Sequence, residues 1–121
     1  IHWSLDDKAG HHQRTTYDSA GTGKWRHTAM IVDRDEKKLI TYLDGVNEKS
    51  IGIADIESVT DVLPITIGGG ITGAIDEVGI FNVVLTADDV VKIMNSGLSE
   101  AIGGTAVSPF AKLATTWGRI K

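Results

Sequence analysis

Trp25-Arg26-His27-Thr28-Ala29-Met30-Ile31-Val32-Asp33, a charged turn, then Leu39-Ile40-Thr41-Tyr42-Leu43-Asp44-Gly45 set the architecture of this chain. The stretch reads as two strands joined by a hairpin and closed by a second tight turn. Met30, Ile31 and Val32 stand in sequence, too apolar for a strand wetted on one side. The second run mixes β-branched, aromatic and leucine side chains, which suit a pleated surface. Between them Asp33 to Lys38 is all charge and belongs in water. Asp44-Gly45 is a strong hairpin signal, because a type I′ turn needs positive φ at both central residues. Val46 to Ile53 should therefore return as the next strand.

Upstream, Ile1, Trp3 and Leu5 alternate with His2 and Ser4, a period of two that marks a strand with one buried face. Asp6 to Gly10 is a turn, and His12 to Tyr17 a polar outer strand. Asp18 to Lys24 is a glycine-containing surface loop. Downstream, Glu48 to Ile56 reads as a strand and 57 to 64 as a loop. Ile65-Thr66-Ile67 alternates into Gly68-Gly69-Gly70. Gly73 to Asn82 reads as a long strand, apolar on both sides and therefore inside a sheet. One helix follows. Thr86 is a good N-cap and Asp89 sits where a capping-box partner belongs. Asp88 and Asp89 suit the positive end of the helix dipole. Val90, Ile93 and Met94 recur at helical spacing as its buried stripe. Gly97 is placed to end it in a left-handed conformation. Residues 99–121 read as a linker and tail. Val107, Phe110, Leu113 and Trp117 give the tail apolar area to dock, as strand or helix.

The chain has 121 residues, enough for one domain. A net charge of −4 argues against nucleic acid and anionic membrane surfaces as partners. No apolar run approaches the roughly 20 residues a membrane-spanning helix needs. With no cysteine, disulfides and thiolate metal sites are excluded. Short strands, spaced glycine turns and one late helix indicate an all-β sandwich.

Trp25-Arg26-His27-Thr28-Ala29 with Thr41-Tyr42-Leu43-Asp44-Gly45 resembles the "WxHVA … LYVDG" pair of the laminin G-like, concanavalin A-like lectin/glucanase superfamily. Ile65 to Gly69 resembles its "LYIGG" strand. Gly73 to Asn82 and Leu85 to Val90 resemble its closing "GxIDEVxIYNxALSxxEI" signature. The resemblance implies a concanavalin A-like jelly-roll sandwich over residues 1–98, with one short C-terminal helix. In such domains further strands precede anything matching Ile1. A longer parent chain or a second copy is therefore expected to complete the core, and in isolation the chain is expected to self-associate, most simply as a dimer. The resemblance also implies a non-catalytic recognition or adhesion module of an exported or surface protein, with carbohydrate as its ligand. The alternative is structural self-assembly through strand edges or the tail.

Candidate site residues follow from the same reading. A pyranose offers an apolar face and a rim of hydroxyls, so sugar sites use aromatic platforms beside polar loops. Trp3, Tyr17 and Asp18, with the loop to Lys24, are the candidates; Trp25 is expected in the core. The resemblance implies that Asp76 helps hold a calcium ion, which needs six to eight oxygens, and it makes His27 a satisfied structural histidine. Asp55 and Glu57, two apart on one strand face, partly resemble the catalytic strand of laminarinase-like enzymes, whose carboxyl pair flanks the bond. The leading carboxylate position is Ile53, so a degenerate glycosidase is the weakest reading. His11 and His12 on a strand point to opposite faces and with His2 make a poor zinc site. Gly68-Gly69-Gly70 lacks the lysine and helix of a phosphate loop.

Overall fold

A computed structural model describes residues 1–17, 23–60, 62–69 and 71–101. Two antiparallel sheets and a C-terminal helical segment make up the architecture. β1 (His2–Asp6) and β2 (His12–Thr16) form a two-stranded ribbon, in register from His2↔Thr16 to Asp6↔His12. β3 (Thr28–Asp33), β4 (Lys38–Leu43) and β5 (Asn47–Gly52) form a three-stranded meander. Helix α1 covers Ala87–Ser96, and a short helical turn, α2 (Leu98–Ala101), follows where a linker was expected.

The central strand β4 explains the layering, because its side chains alternate between two covered faces. Leu39 meets Leu5, Ile53 and Ile56, so this face lies against β1 of the ribbon. At its far end Leu43 packs with Tyr17 and half-buried Trp3. Tyr42 on the opposite face meets Ile31 of β3 and Val90 of α1, with Ile40 and Leu85 packed around them. The sheet is thus sandwiched between ribbon and helix. Leu39 and Val90 are fully buried, one on each face. Burying a side chain of this size contributes about 1.5–3 kcal/mol.

A buried polar staple fixes the ribbon to the sheet. Thr15 Oγ1 lies 2.8 Å from Thr41 Oγ1. The Tyr17 hydroxyl donates to the Thr41 carbonyl at 2.6 Å and lies 3.1 Å from its hydroxyl. The polar alternation of β2 does not reveal that Thr15 points inward. A second clamp joins the turns at one end of the molecule. Asp7 accepts from the backbone N–H groups of His11 and Glu57 and bonds the His11 ring. Those N–H donors, that of Glu57 foremost, hold the Asp7 carboxyl well below the usual carboxylate range; the bond between the His11 ring and the Asp7 carboxylate raises the His11 pKa. Arg34, from the charged β3–β4 turn, donates to the carbonyls of Ile56 and Glu57.

Asp44 and Gly45 take φ of 55° and 69°, as the turn signal requires. Pairing resumes at Leu43↔Asn47. Gly45 is needed twice over, since a Cβ there would sit 3.2 Å from Val91 and 3.3 Å from Met94. The capping box forms as expected: Thr86 accepts from the Asp89 N–H, and Asp89 accepts from that of Thr86. Gly97 ends the helix with φ 78° and ψ 163°, a glycine-only region but not the expected left-handed helical one.

Three expected strands are corrected. β5 stops at Gly52, because the chain turns at Ala54–Asp55 to bury Ile53 and Ile56 against Leu5. Ile65–Ile67 and Gly73–Asn82 form no ladder among the described residues. Glu77 breaks the latter at its midpoint with a φ of 52°, where its N–H donates to the Asp76 carboxylate beside it. Such local side-chain bonds compete with sheet pairing. Ile65, Ile67, Ile71, Ile75, Val78 and Ile80 are all left exposed. Asp18 and the tail 102–121, including its expected docking residues, lie outside the described residues.

Candidate ligand cleft beside the Asp44 turn

The segment leading into β3 is bound to the turn leaving β4. The Asp44 N–H donates to the His27 carbonyl at 2.8 Å, and the His27 N–H donates to Asp44 Oδ1 at 3.1 Å. Arg26 Nη1 donates to Asp44 Oδ2 in an ion pair. The motif that begins at Trp25 and the one that ends at Asp44-Gly45 are thereby one structural unit. Helix α1 presses on the same turn through Val91 and Met94.

An open cleft of about 490 Å³ lies over this unit, lined by Trp25, Arg26, His27, Asp44, Asp76, Glu77, Ile93 and Met94. Its floor is apolar where α1 contributes Ile93 and Met94. Trp25 is 71 % exposed, against the expectation that it belongs to the core. Lys24 and Arg26 on either side of the indole are the surface pattern that could have revealed this. His27 is not the satisfied histidine expected: its Nδ1 is buried with no hydrogen-bond partner among the described residues. Burial lowers its pKa, with Asp44 opposing, so the ring favours its neutral form. Arg26 neutralises Asp44, whereas Asp76 and Glu77 have no ion-pair partner among the described residues.

Glu77 is fixed through its backbone, and its carboxylate lies beside Gly97. Its backbone is pinned at positive φ by the Asp76 bond. Its carboxylate sits over the end of α1, 2.9 Å from where a Cβ on Gly97 would be. A glutamate in this backbone region carries strain of the order of 1–3 kcal/mol.

The residues named from the sequence fall in different places. Asp76 lines the cleft. Trp3 and Tyr17 lie together in the Leu43 cluster, Tyr17 only 5 % exposed, with Lys49 Nζ 4.6 Å above its ring. In this structure Tyr17 is buried, and Trp3 packs half-buried against its cluster. Asp55 and Glu57 do not share a strand face, since both follow the end of β5. His11 is bound to Asp7 and His2 to Thr16, which separates the histidines. No group of three His, Asp or Glu side chains converges among the described residues. Asp76 also spends one oxygen on the Glu77 N–H.

Helices among the described residues are too short and too polar to cross a membrane. No curated protein and no solved structure matches the chain. A family model described as the concanavalin A-like lectin/glucanases superfamily matches residues 1–91, the span holding both sheets, the Asp44 turn and most of the cleft. The chain belongs to the concanavalin A-like lectin/glucanase superfamily.

Proposed function

We propose that this chain is a non-catalytic recognition module of an exported or surface-bound protein and that it binds carbohydrate in the Trp25 cleft. The carrying observation is Trp25 itself, 71 % exposed at a cleft that also presents Arg26, Asp44, Asp76 and Glu77. An open indole supplies the apolar face a pyranose ring stacks on, and the carboxylates and guanidinium supply partners for its hydroxyls. Membership of a lectin and glucanase superfamily supports the ligand class. Isothermal titration with a panel of β-linked glucose and glucosamine oligosaccharides tests the reading. The wild-type chain should bind at least one of them, and Trp25→Ala should lose that binding with its melting temperature unchanged. Running the titration with calcium and with a chelator tests the ion that the resemblance assigns to Asp76. Binding that survives Trp25→Ala would overturn the cleft as the site.

A second reading, assembly, is favoured by a separate observation. Ile65, Ile67, Ile71, Ile75, Val78 and Ile80 expose between 45 % and 75 % of their surface within one stretch of chain. Large apolar side chains left exposed along one stretch of chain are candidates for a surface that another copy covers. Light scattering on the 121-residue chain should then give a mass above that of one copy. A stable monomer at all concentrations would remove this reading and leave the first.

A further inference from the structure

The net charge of −4 is laid unevenly along the chain. Residues 1–49 balance, with eight Asp or Glu and eight Lys or Arg side chains, and residues 92–101 balance with one of each. Residues 50–91 hold seven Asp or Glu and no Lys or Arg, whereas residues 102–121 hold Lys112, Arg119 and Lys121 and no acid. The acidic block is also the stretch that leaves Ile65, Ile67, Ile75, Val78 and Ile80 exposed. Ile75 joins its two apolar segments, since its Cδ1 lies 3.1 Å from the position of a Cβ on Gly68 and so brings 65–69 beside 75–80. The chain also leaves its last helical turn against this surface. Leu98, the first residue of α2, places its two δ-carbons 3.0 and 3.3 Å from the position of a Cβ on Gly79, between Val78 and Ile80.

We propose that the chain's own tail, residues 107–121, docks on the exposed apolar surface of residues 65–80. Val107, Phe110, Leu113 and Trp117 would cover the isoleucines and Val78, with Lys112, Arg119 and Lys121 in the field of the acidic block. Val107 stands six residues beyond Ala101, a reach of about 20 Å when extended, so the tail's first apolar residue stays close to the Gly79 exit point. A segment tethered at that distance meets its site at an effective concentration of the order of millimolar. A second copy joined face to face through the same stretch would instead set one acidic block against another. The inference goes beyond the carbohydrate reading and does not depend on it. It gives the exposed stretch to the tail in place of the second copy of the assembly reading.

The sequence holds no cysteine, so Ser108→Cys gives the 121-residue chain a single site for a nitroxide label. In ¹⁵N–¹H spectra of the labelled chain, paramagnetic broadening should fall on the amide signals of residues 65–80. The signals of residues 34–37, in the turn at the end of β4 remote from α1, should match those of the sample with the nitroxide reduced. Phe110→Ala with Trp117→Ala should remove most of the broadening. Lys112→Glu, Arg119→Glu and Lys121→Glu together should do the same, and added salt should reduce the broadening in the chain with its natural charges. A mixture of spin-labelled ¹⁴N chain with unlabelled ¹⁵N chain should show no broadening. Broadening in that mixture would place the tail of a second copy on this surface and would overturn the proposal. Unbroadened signals at 65–80 in the labelled chain would also overturn it, as would broadening that the three charge reversals leave unchanged.

Discussion

Replacing Thr41 with valine should destabilise the fold by about 1–3 kcal/mol, although the two side chains have the same shape. Thr41 is fully buried and Thr15 is 7 % exposed. Their hydroxyls lie 2.8 Å apart. In Thr41→Val the Thr15 hydroxyl stays buried without that partner, which is the origin of the cost. The Tyr17 hydroxyl keeps the Thr41 carbonyl at 2.6 Å, so its own loss is small. Thr15→Val should be milder, near 1 kcal/mol, because the Thr41 hydroxyl retains Tyr17 at 3.1 Å. The double variant removes both polar groups together and should cost less than the two singles added, with a coupling of about 0.5–3 kcal/mol. Urea unfolding followed by tryptophan fluorescence reads all four proteins, since Trp3 packs against Tyr17 and Leu43 beside the staple. Additive single effects, or a neutral Thr41→Val, would refute the claim that this hydrogen bond joins ribbon to sheet.

Gly45→Ala should cost about 1–2 kcal/mol from its positive φ alone, and more from the 3.2 Å approach of Val91, read as a fall in the urea midpoint. Leu39→Ala should be the most damaging single truncation, about 2–5 kcal/mol, because Leu39 is wholly buried at the centre of its cluster. Two histidines should titrate in opposite directions. The Asp7 partner raises the His11 pKa above 6.5, so its contribution is complete below 6.5 and is lost as pH climbs through the folded value. Burial depresses the pKa of His27 below 6.5, so protonating the unfolded chain lowers stability as pH falls from 6.5 towards the folded value. Proton resonance midpoints for the two rings on either side of 6.5 check the signs. Asp7→Asn should return the His11 midpoint towards that value.

The hairpin core was legible because its signals are local. The charged Asp33–Lys38 turn, the Asp44-Gly45 pair and the Thr86–Asp89 capping box each act within a few residues, and all appear where the sequence places them. The segments beyond Ile53 were not legible by the same means. Alternating apolar residues at Ile65–Ile67 and Gly73–Asn82 state a preference for extended backbone, but a strand exists only where another strand pairs with it. Glu77 at positive φ interrupts the second run, and nothing in a Glu-Val pair announces that. Asp76 was named through its place in a family motif, and it lines the cleft. Trp25 was missed for the converse reason, since a motif position suggested burial while the flanking Lys24 and Arg26 pointed to solvent. Trp3 and Tyr17 show the limit of composition as a guide: aromatic residues beside a loop satisfy the description of a sugar platform, yet here both close the Leu43 end of the core.

The most direct test of the cleft is the indole N–H region of a ¹⁵N–¹H correlation spectrum, recorded while the chain is titrated with a β-linked glucosamine tetramer. The sequence contains three tryptophans, so the signals are few and assignable by single substitution. The Trp25 indole resonance should shift progressively to saturation while that of Trp3, packed beside Tyr17, stays in place. Saturable binding that moves Trp3 and leaves Trp25 unchanged would contradict the placement of the ligand site.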